Sequence, residues 1–169
     1  MTLVLYEHAM RAAIEQAAKA QREGDYAVGA VIARGKDIIA AAGNRTKRDK
    51  NSLNHAEMIA IGMAEAQLGD GNLDDCALYS TLEPCTMCSS ASVWARLGGI
   101  VFGADLADLM EYSRANGNDQ CKWRYIAMPC DEIIKVSRSP IVVVDSFMRE
   151  DCLMLFHNYR VPPSPSKAL

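Results

Sequence analysis

Five short apolar runs alternate along the chain with stretches of helical periodicity, and this alternation limits the possible folds more than any other feature. The runs are AVGAVIAR (27–34), DIIAAAG (37–43), ALYSTLE (77–83), IVFGA (100–104) and IVVVD (141–145). Each is β-branched or alanine-rich and of strand length. Gly35-Lys36 separates the first two, which predicts a hairpin. Helical stretches separate the others. Residues 3–22 place Tyr6, Met10, Ala13, Ile14 and Ala17 on one face, and Gly24 stops the run. Further helices are predicted over 55–68, over 85–97 with Pro84 suited to the first turn, and over 146–159. The segment 105–135 is ambiguous. It is acidic, turns at Asn116-Gly117-Asn118, and then carries an aromatic patch around Trp123 and Tyr125. The pattern predicts an α/β fold with three α/β/α layers: a five-stranded mixed sheet that starts in a hairpin and continues through βαβ crossovers.

The chain has 169 residues, half of them hydrophobic and 23% charged. That is enough apolar material for one buried core, predicted over 1–160, with 161–169 as a proline-rich tail. A net charge of −3 gives no global basic field to attract nucleic acid. No stretch reaches the roughly 20 apolar residues of a membrane span. The N-terminal residues hold no apolar run typical of a signal peptide, so a cytoplasmic protein without a membrane partner is expected. Six cysteines are too few for a small disulfide scaffold.

The chemistry concentrates in His55-Ala56-Glu57 and Pro84-Cys85-Thr86-Met87-Cys88, with Asn44 upstream. Cys85 and Cys88 lie one helical turn apart at a predicted helix start, where free N–H groups and the dipole favour thiolates. Alone, a CxxC also reads as a redox dithiol or as one knuckle of a structural zinc site. The second knuckle has no candidate, since Cys121 and Cys130 are nine apart. His55, which opens a predicted helix after a polar loop, adds a third ligand. Three protein ligands are the count of a catalytic zinc site that leaves the fourth position to water. Glu57, two positions on, sits where a carboxylate can take a proton from that water without ligating the metal. Each residue has a plainer reading: His55 as a surface or core histidine, Glu57 as a first-turn acid favoured by the helix dipole.

The combination of H-x-E with P-C-x-x-C resembles the zinc deaminases. The chain is similar to the cytidine deaminase superfamily, in the branch of guanine deaminases, fungal-type cytosine deaminases and tRNA adenosine deaminases. The resemblance runs through VGAVIARGKDIIAAAGN, HAEMIAI, LYSTLEPCTMC and WARLGGIVFGA, about half the chain. It implies a zinc ion on His55, Cys85 and Cys88, with Glu57 as the proton shuttle of a hydrolytic deamination. It further implies that Asn44 hydrogen-bonds the base and that Val28 packs on the ring. The N–H groups of Ala56 and Cys85 would hold the ring and the attacking oxygen, and the Glu83 carbonyl would receive the leaving amino group. Asn44 has the alternative of shaping a turn, and Val28 of being core. A homodimer is implied by the resemblance alone.

The substrate is expected to be a small free base: guanine first, with cytosine, adenine or a triazine behind. The reasons are the acidic DLADLMEYSRAN segment and the nearly neutral C-terminus, which suit a phosphate backbone poorly. Trp94-Ala95-Arg96 looks like guanine deaminases, although Trp94 also suits a core or dimer contact. Asp105, Asp108, Glu111 and Asp119 are candidates for reading the base, with Asp119 carried forward. Trp123, Tyr125, Phe156 and Tyr159 could lid the pocket or belong to the core. Asn54, beside His55, is expected to alter the pocket. The alternatives are a tRNA adenosine-to-inosine deaminase, for which Arg34, Lys36, Arg45, Lys47, Arg48 and Lys50 form a basic strip, and a non-catalytic zinc scaffold. Cys76, Cys121, Cys130 and Cys152 are read as buried free thiols.

Overall fold

The structure, a computed structural model, describes residues 3–116 and 124–157. The elements follow in the order α1 (Glu7–Arg22), β1 (Gly29–Arg34), β2 (Asp37–Gly43), α2 (Ala56–Leu68), β3 (Cys76–Leu82), α3 (Thr86–Trp94), β4 (Gly99–Ala104), α4 (Leu106–Asn116), α5 (Cys130–Ser137), β5 (Val142–Val144) and α6 (Arg149–His157). The strands form one sheet in the order β2-β1-β3-β4-β5. β1 is antiparallel to β2 and β3, whereas β3, β4 and β5 are parallel. The mixed sheet with a leading hairpin is the predicted architecture. α1 and α6 pack on one face of the sheet, while α2 packs on the other and touches α3.

Burial explains why the strands read as continuous apolar runs. β3 and β4 are buried along their whole length, with helices on both faces. Edge strand β2 alternates between exposed and buried positions instead. Two glycines let helices lie directly on the sheet. A Cβ on Gly29 would collide with the Ala13 carbonyl of α1, and one on Gly103 with the Cys152 sulfur of α6. α1 presents Ala9, Met10, Ala13, Ala17 and Ala20 to the core, so small side chains set the close spacing.

Several boundaries differ from the expected ones. The first helix begins at Glu7 and the last at Arg149. Segment 105–135 resolves into α4 and α5, joined through residues outside the described set. α4 opens with a reciprocal cap in which Asp108 N–H donates to the Asp105 carboxylate and Asp105 N–H to that of Asp108, 2.7 and 3.0 Å. Asp108 also pairs with Arg149 of α6. Those two acids are thus committed to fold, and Glu111 is exposed on α4. Cys76, Cys130 and Cys152 are buried free thiols as expected. Cys121, Asp119, Trp123, Tyr159 and the tail 161–169 lie outside the described residues. Among the described residues no helix is long and apolar enough to cross a membrane.

Candidate active site

One end of the sheet gathers all the motifs. β2 ends there at Gly43 and hands on to Asn44; β1 starts there after Val28; β3 and β4 both end there. At this end, β3 is followed by Glu83-Pro84-Cys85. The fold therefore brings Asn44, Val28, Glu83 and Cys85 together by strand direction alone.

His55 and Cys85 are both the residues before a helix rather than inside it. Each has an extended backbone, φ −69° with ψ 151° and φ −63° with ψ 171°, and caps α2 and α3 respectively. This revises the expected one-turn geometry for Cys85, and Pro84 lies outside α3. The amides of Ala56 and Thr86, at the first helical positions, belong to the set that has no intrahelical acceptor. Two helix N-termini therefore face one another across the ligand set, which favours negative charge between them.

His55 Nδ1 lies 3.7 Å from Cys85 Sγ and 3.6 Å from Cys88 Sγ, and the sulfurs are 3.6 Å apart. Tetrahedral zinc, with bonds of about 2.3 Å to sulfur and about 2.0–2.1 Å to nitrogen, calls for separations of about 3.6 Å for S···N and about 3.8 Å for S···S. The three donors already have the spacing of that ion. Among the described residues they are the one cluster with metal-ligand spacing. Cys85 is pushed down to about 4, first by its hydrogen bond with Cys88 and further by His55, while Cys88 is pushed up by that same bond and by burial. The His55 imidazole is raised, chiefly by Cys85.

Glu57 projects into the same cavity from the first turn of α2. It is buried, its Oε2 has no hydrogen-bond partner among the described residues, and burial pushes its carboxyl up to about 7 against the pull of His55. A buried acid balanced between its two protonation states at neutral pH is suited to take and return a proton. A purely structural metal site has no need of one.

The cavity has a volume of about 430 Å³. Val28, Asn44, His55, Glu57, Glu83 and Cys85 all line it. Ala56 is buried behind it. Leu106, Leu109, Arg124, Tyr125, Ile126 and Met128 supply walls and roof from beyond β4. Of the expected aromatic lids, Tyr125 is in place; the side chain of Phe156 is outside what is described. Trp94 is not among the residues that line the cavity, and it is 84% exposed on α3, so it is not part of this chain's core. Asn54 also turns away. Its amide donates to Asp49 at 2.7 Å and accepts from Asn51 at 3.0 Å, bracing the loop. Three of the six residues of the basic strip are held by acids: Arg34 by Asp75, Arg45 by Asp49, and Arg48 by Glu23.

Two residues escaped the sequence reading. The side chain of Glu83, beyond its carbonyl, accepts the N–H of Leu106 at 2.7 Å and of Cys130 at 2.6 Å, tying the starts of α4 and α5 to the end of β3. Asp25 is fully buried beside Asn44. Its only sequence signal is an acid wedged between a helix-stopping glycine and an apolar strand.

Residues 4–104 match the cytidine and deoxycytidylate deaminase zinc-binding region. The chain belongs to this deaminase family. Zinc is the metal of this family, and His55, Cys85 and Cys88 form a group that could hold it. Within the family the chain is 43% identical over 95 residues to a tRNA-specific adenosine deaminase of Bacillus subtilis, a stretch covering 56% of the chain and 59% of that protein. The match thus spans less than two thirds of that relative's length. A probable cytosine deaminase of Schizosaccharomyces pombe is 31% identical over 146 residues, 86% of both proteins. The crystal structure of a guanine deaminase from Bacillus subtilis superposes with a TM-score of 0.61 at 27% identity, covering 80% of the chain and 92% of that protein. The cytidine deaminase fold is thus shared across the family, with its five-stranded mixed sheet intact.

Proposed function

We propose that this deaminase hydrolyses the exocyclic amine of a free nucleobase, guanine ahead of cytosine, adenine or a triazine analogue, and releases ammonia. The observation that carries the reading is the roof. Tyr125, Ile126 and Met128 come from beyond the residues of the family match and add partly exposed apolar side chains to the cavity that Glu57 and His55 also line. A largely apolar pocket of about 430 Å³ is of a size for a small heterocycle. Relatives that extend along most of the chain include a cytosine and a guanine deaminase, which support this choice, and also tRNA-specific adenosine deaminases of Streptococcus pyogenes over 75% of it.

Zinc bound at His55, Cys85 and Cys88 supplies a Lewis acid that makes water nucleophilic near neutral pH. Glu57 takes the proton from the attacking water and delivers it to the ring nitrogen next to the amine-bearing carbon. It then takes the proton of the newly added hydroxyl and passes it to the departing nitrogen, so that the C=O bond forms as the C–N bond breaks with loss of neutral ammonia. Val28 packs on the ring, and Asn44 holds its polar edge. The free amides at the α2 and α3 starts stabilise the developing negative charge on oxygen. The Glu83 carbonyl faces the leaving amine. We assign the homodimer contact to the α3–α5 face, where Trp94 and Val136 are 84% and 75% exposed; a monomer by light scattering contradicts it.

The second reading, a tRNA adenosine deaminase, is favoured by the 43% identity with the Bacillus enzyme. Ammonia release from a panel of free bases, run beside an unmodified tRNA, separates the two. Release from a free base at micromolar to millimolar concentration is the expected result. Release from the tRNA alone overturns it.

A further inference from the structure

Asp25 is wholly buried, and its carboxylate collects five donors. Oδ1 accepts the Tyr26 N–H at 2.9 Å, the Asn44 amide at 2.7 Å and the Thr46 hydroxyl at 3.3 Å. Oδ2 accepts the N–H groups of Lys47 and Arg48, both at 3.0 Å. The loop after β2 is therefore wound around a single carboxylate. The same carboxylate dictates which way the Asn44 amide points. Asn44 Nδ2 faces two acceptors, Asp25 Oδ1 and, at 2.8 Å, the Thr46 hydroxyl oxygen. Turning the amide over would set its carbonyl oxygen 2.7 Å from a carboxylate oxygen, two acceptors with no hydrogen between them. In a buried site that contact is strongly unfavourable. Both amide hydrogens are spent inward, and Oδ1 is the polar atom that Asn44 has left for the cavity it lines with His55 and Glu57.

We propose that Asp25 is a positioning residue that fixes Asn44 as a hydrogen-bond acceptor, so that the substrate must bring a ring N–H to that point. This rests on reading the cavity as a nucleobase site. The requirement distinguishes substrate classes by chemistry. Free cytosine carries an N–H at N1, and free guanine carries them at N1 and on the imidazole ring. Attachment of a sugar removes the N–H of cytosine and the imidazole N–H of guanine. Adenine within a polynucleotide has no ring N–H and offers only acceptors on its ring. The exocyclic amine of adenine is the departing group and so does not serve Asn44; an acceptor-only Asn44 thus favours free bases, and a site built for a substrate N–H rejects an analogue that lacks it by a large factor.

The test uses the zinc-loaded full chain and steady-state ammonia release, with kcat and KM resolved. The probes are guanine with its 1-methyl and 9-methyl derivatives, and cytosine with 1-methylcytosine. For the base that is turned over, at least one ring-N-methyl derivative is expected to lose on the order of 100-fold or more in kcat/KM, mostly through KM. Asp25→Asn frees the Asn44 amide to turn and should shrink that ratio below about tenfold, even as absolute rates fall. Thr46→Val should move it the same way by less, and it keeps the test decisive if Asp25→Asn does not fold. A bulk effect of the methyl group would leave the ratio unchanged in both variants, and that result overturns the proposal. So does a wild-type protein that accepts every methyl derivative as well as its parent. Ammonia from an unmodified tRNA with none from any free base would overturn the free-base reading along with this one. Turnover of a free base with a ratio insensitive to both variants would overturn this inference alone.

Discussion

Glu83 Oε1 accepts the backbone N–H of Cys130 at 2.6 Å, while its Oε2 accepts that of Leu106 at 2.7 Å. One side chain at the end of β3 thereby fastens two helix N-termini, those of α4 and α5, on either side of the cavity. Leu106 and Leu109 form its wall on α4, and 124–128 form its roof just ahead of α5. A carboxylate at a helix start is favourable once, and here the arrangement occurs twice with one charge.

Glu83→Ala removes both acceptors and leaves two helix-start amides without partners. It should cost about 1–3 kcal/mol, a fall of about 3–10 °C in the thermal midpoint for a chain of this size. Because it loosens the roof without touching the metal ligands, KM should rise more than kcat falls. An unchanged KM alongside the stability loss would separate Glu83 from the roof.

Cys88→Ser replaces a buried sulfur ligand by a hydroxyl that binds zinc poorly. Zinc per chain, measured by elemental analysis after dialysis, should drop from one to well below one. Stripping the wild type with a chelator should lower its thermal midpoint and stop ammonia release, and zinc should restore both. Retention of full metal content by Cys88→Ser would contradict the ligand set.

The Glu57 carboxyl is raised from 4.5 to about 7 by burial, and the sign of its effect on stability follows. The folded state holds the proton more tightly than the unfolded chain. This residue therefore costs nothing below about pH 4.5, and its cost grows through the window up to about pH 7 and is complete above it. The full cost is roughly 3 kcal/mol. In the metal-free protein, Glu57→Gln should melt several degrees above wild type at pH 8, and the gain should fade toward pH 5. Equal midpoints at both pH values would mean that Glu57 is not held uncompensated in the fold.

Gly29→Ala should be among the most destabilising single methyl additions in the chain, because the new Cβ meets the Ala13 carbonyl of α1 rather than a side chain that can turn away. Loss of soluble protein, or a fall of more than about 3 kcal/mol in denaturant unfolding, is expected. A stable Gly29→Ala protein would show that α1 can lift from β1.

Much of this was legible in the residues, for identifiable reasons. Strands buried on both faces announce themselves as unbroken apolar runs, so β3 and β4 were visible. The metal site was visible because ligand chemistry restricts residue type and spacing at once. Segment 105–135 was opaque because α4 and α5 are short and their starts are fixed by Glu83 and by the Asp105–Asp108 cap, contacts that no local apolar pattern records. Asp25 was invisible for a related reason. Its five bonds run mostly to a loop some twenty positions away, and no local pattern records them. Trp94 could not be placed from sequence, because an aromatic residue on a helix beside a metal motif suits the site, the core and an exposed face alike, and the structure puts it on an exposed face. Asn54 misled through proximity in sequence, since the loop before α2 turns its side chain back on Asp49.

The central claim is that the residues around His55, Cys85 and Cys88 are a working hydrolytic site with Glu57 as its proton carrier. It is tested most directly by assaying ammonia release from free guanine and cytosine with zinc-loaded wild type and Glu57→Gln side by side, with zinc content measured on the same samples. Release by the wild type and a loss of about 1,000-fold or more in the variant are expected, with one zinc per chain retained in both. Efficient turnover by Glu57→Gln, or a zinc-loaded wild type that releases ammonia from neither base, would contradict it.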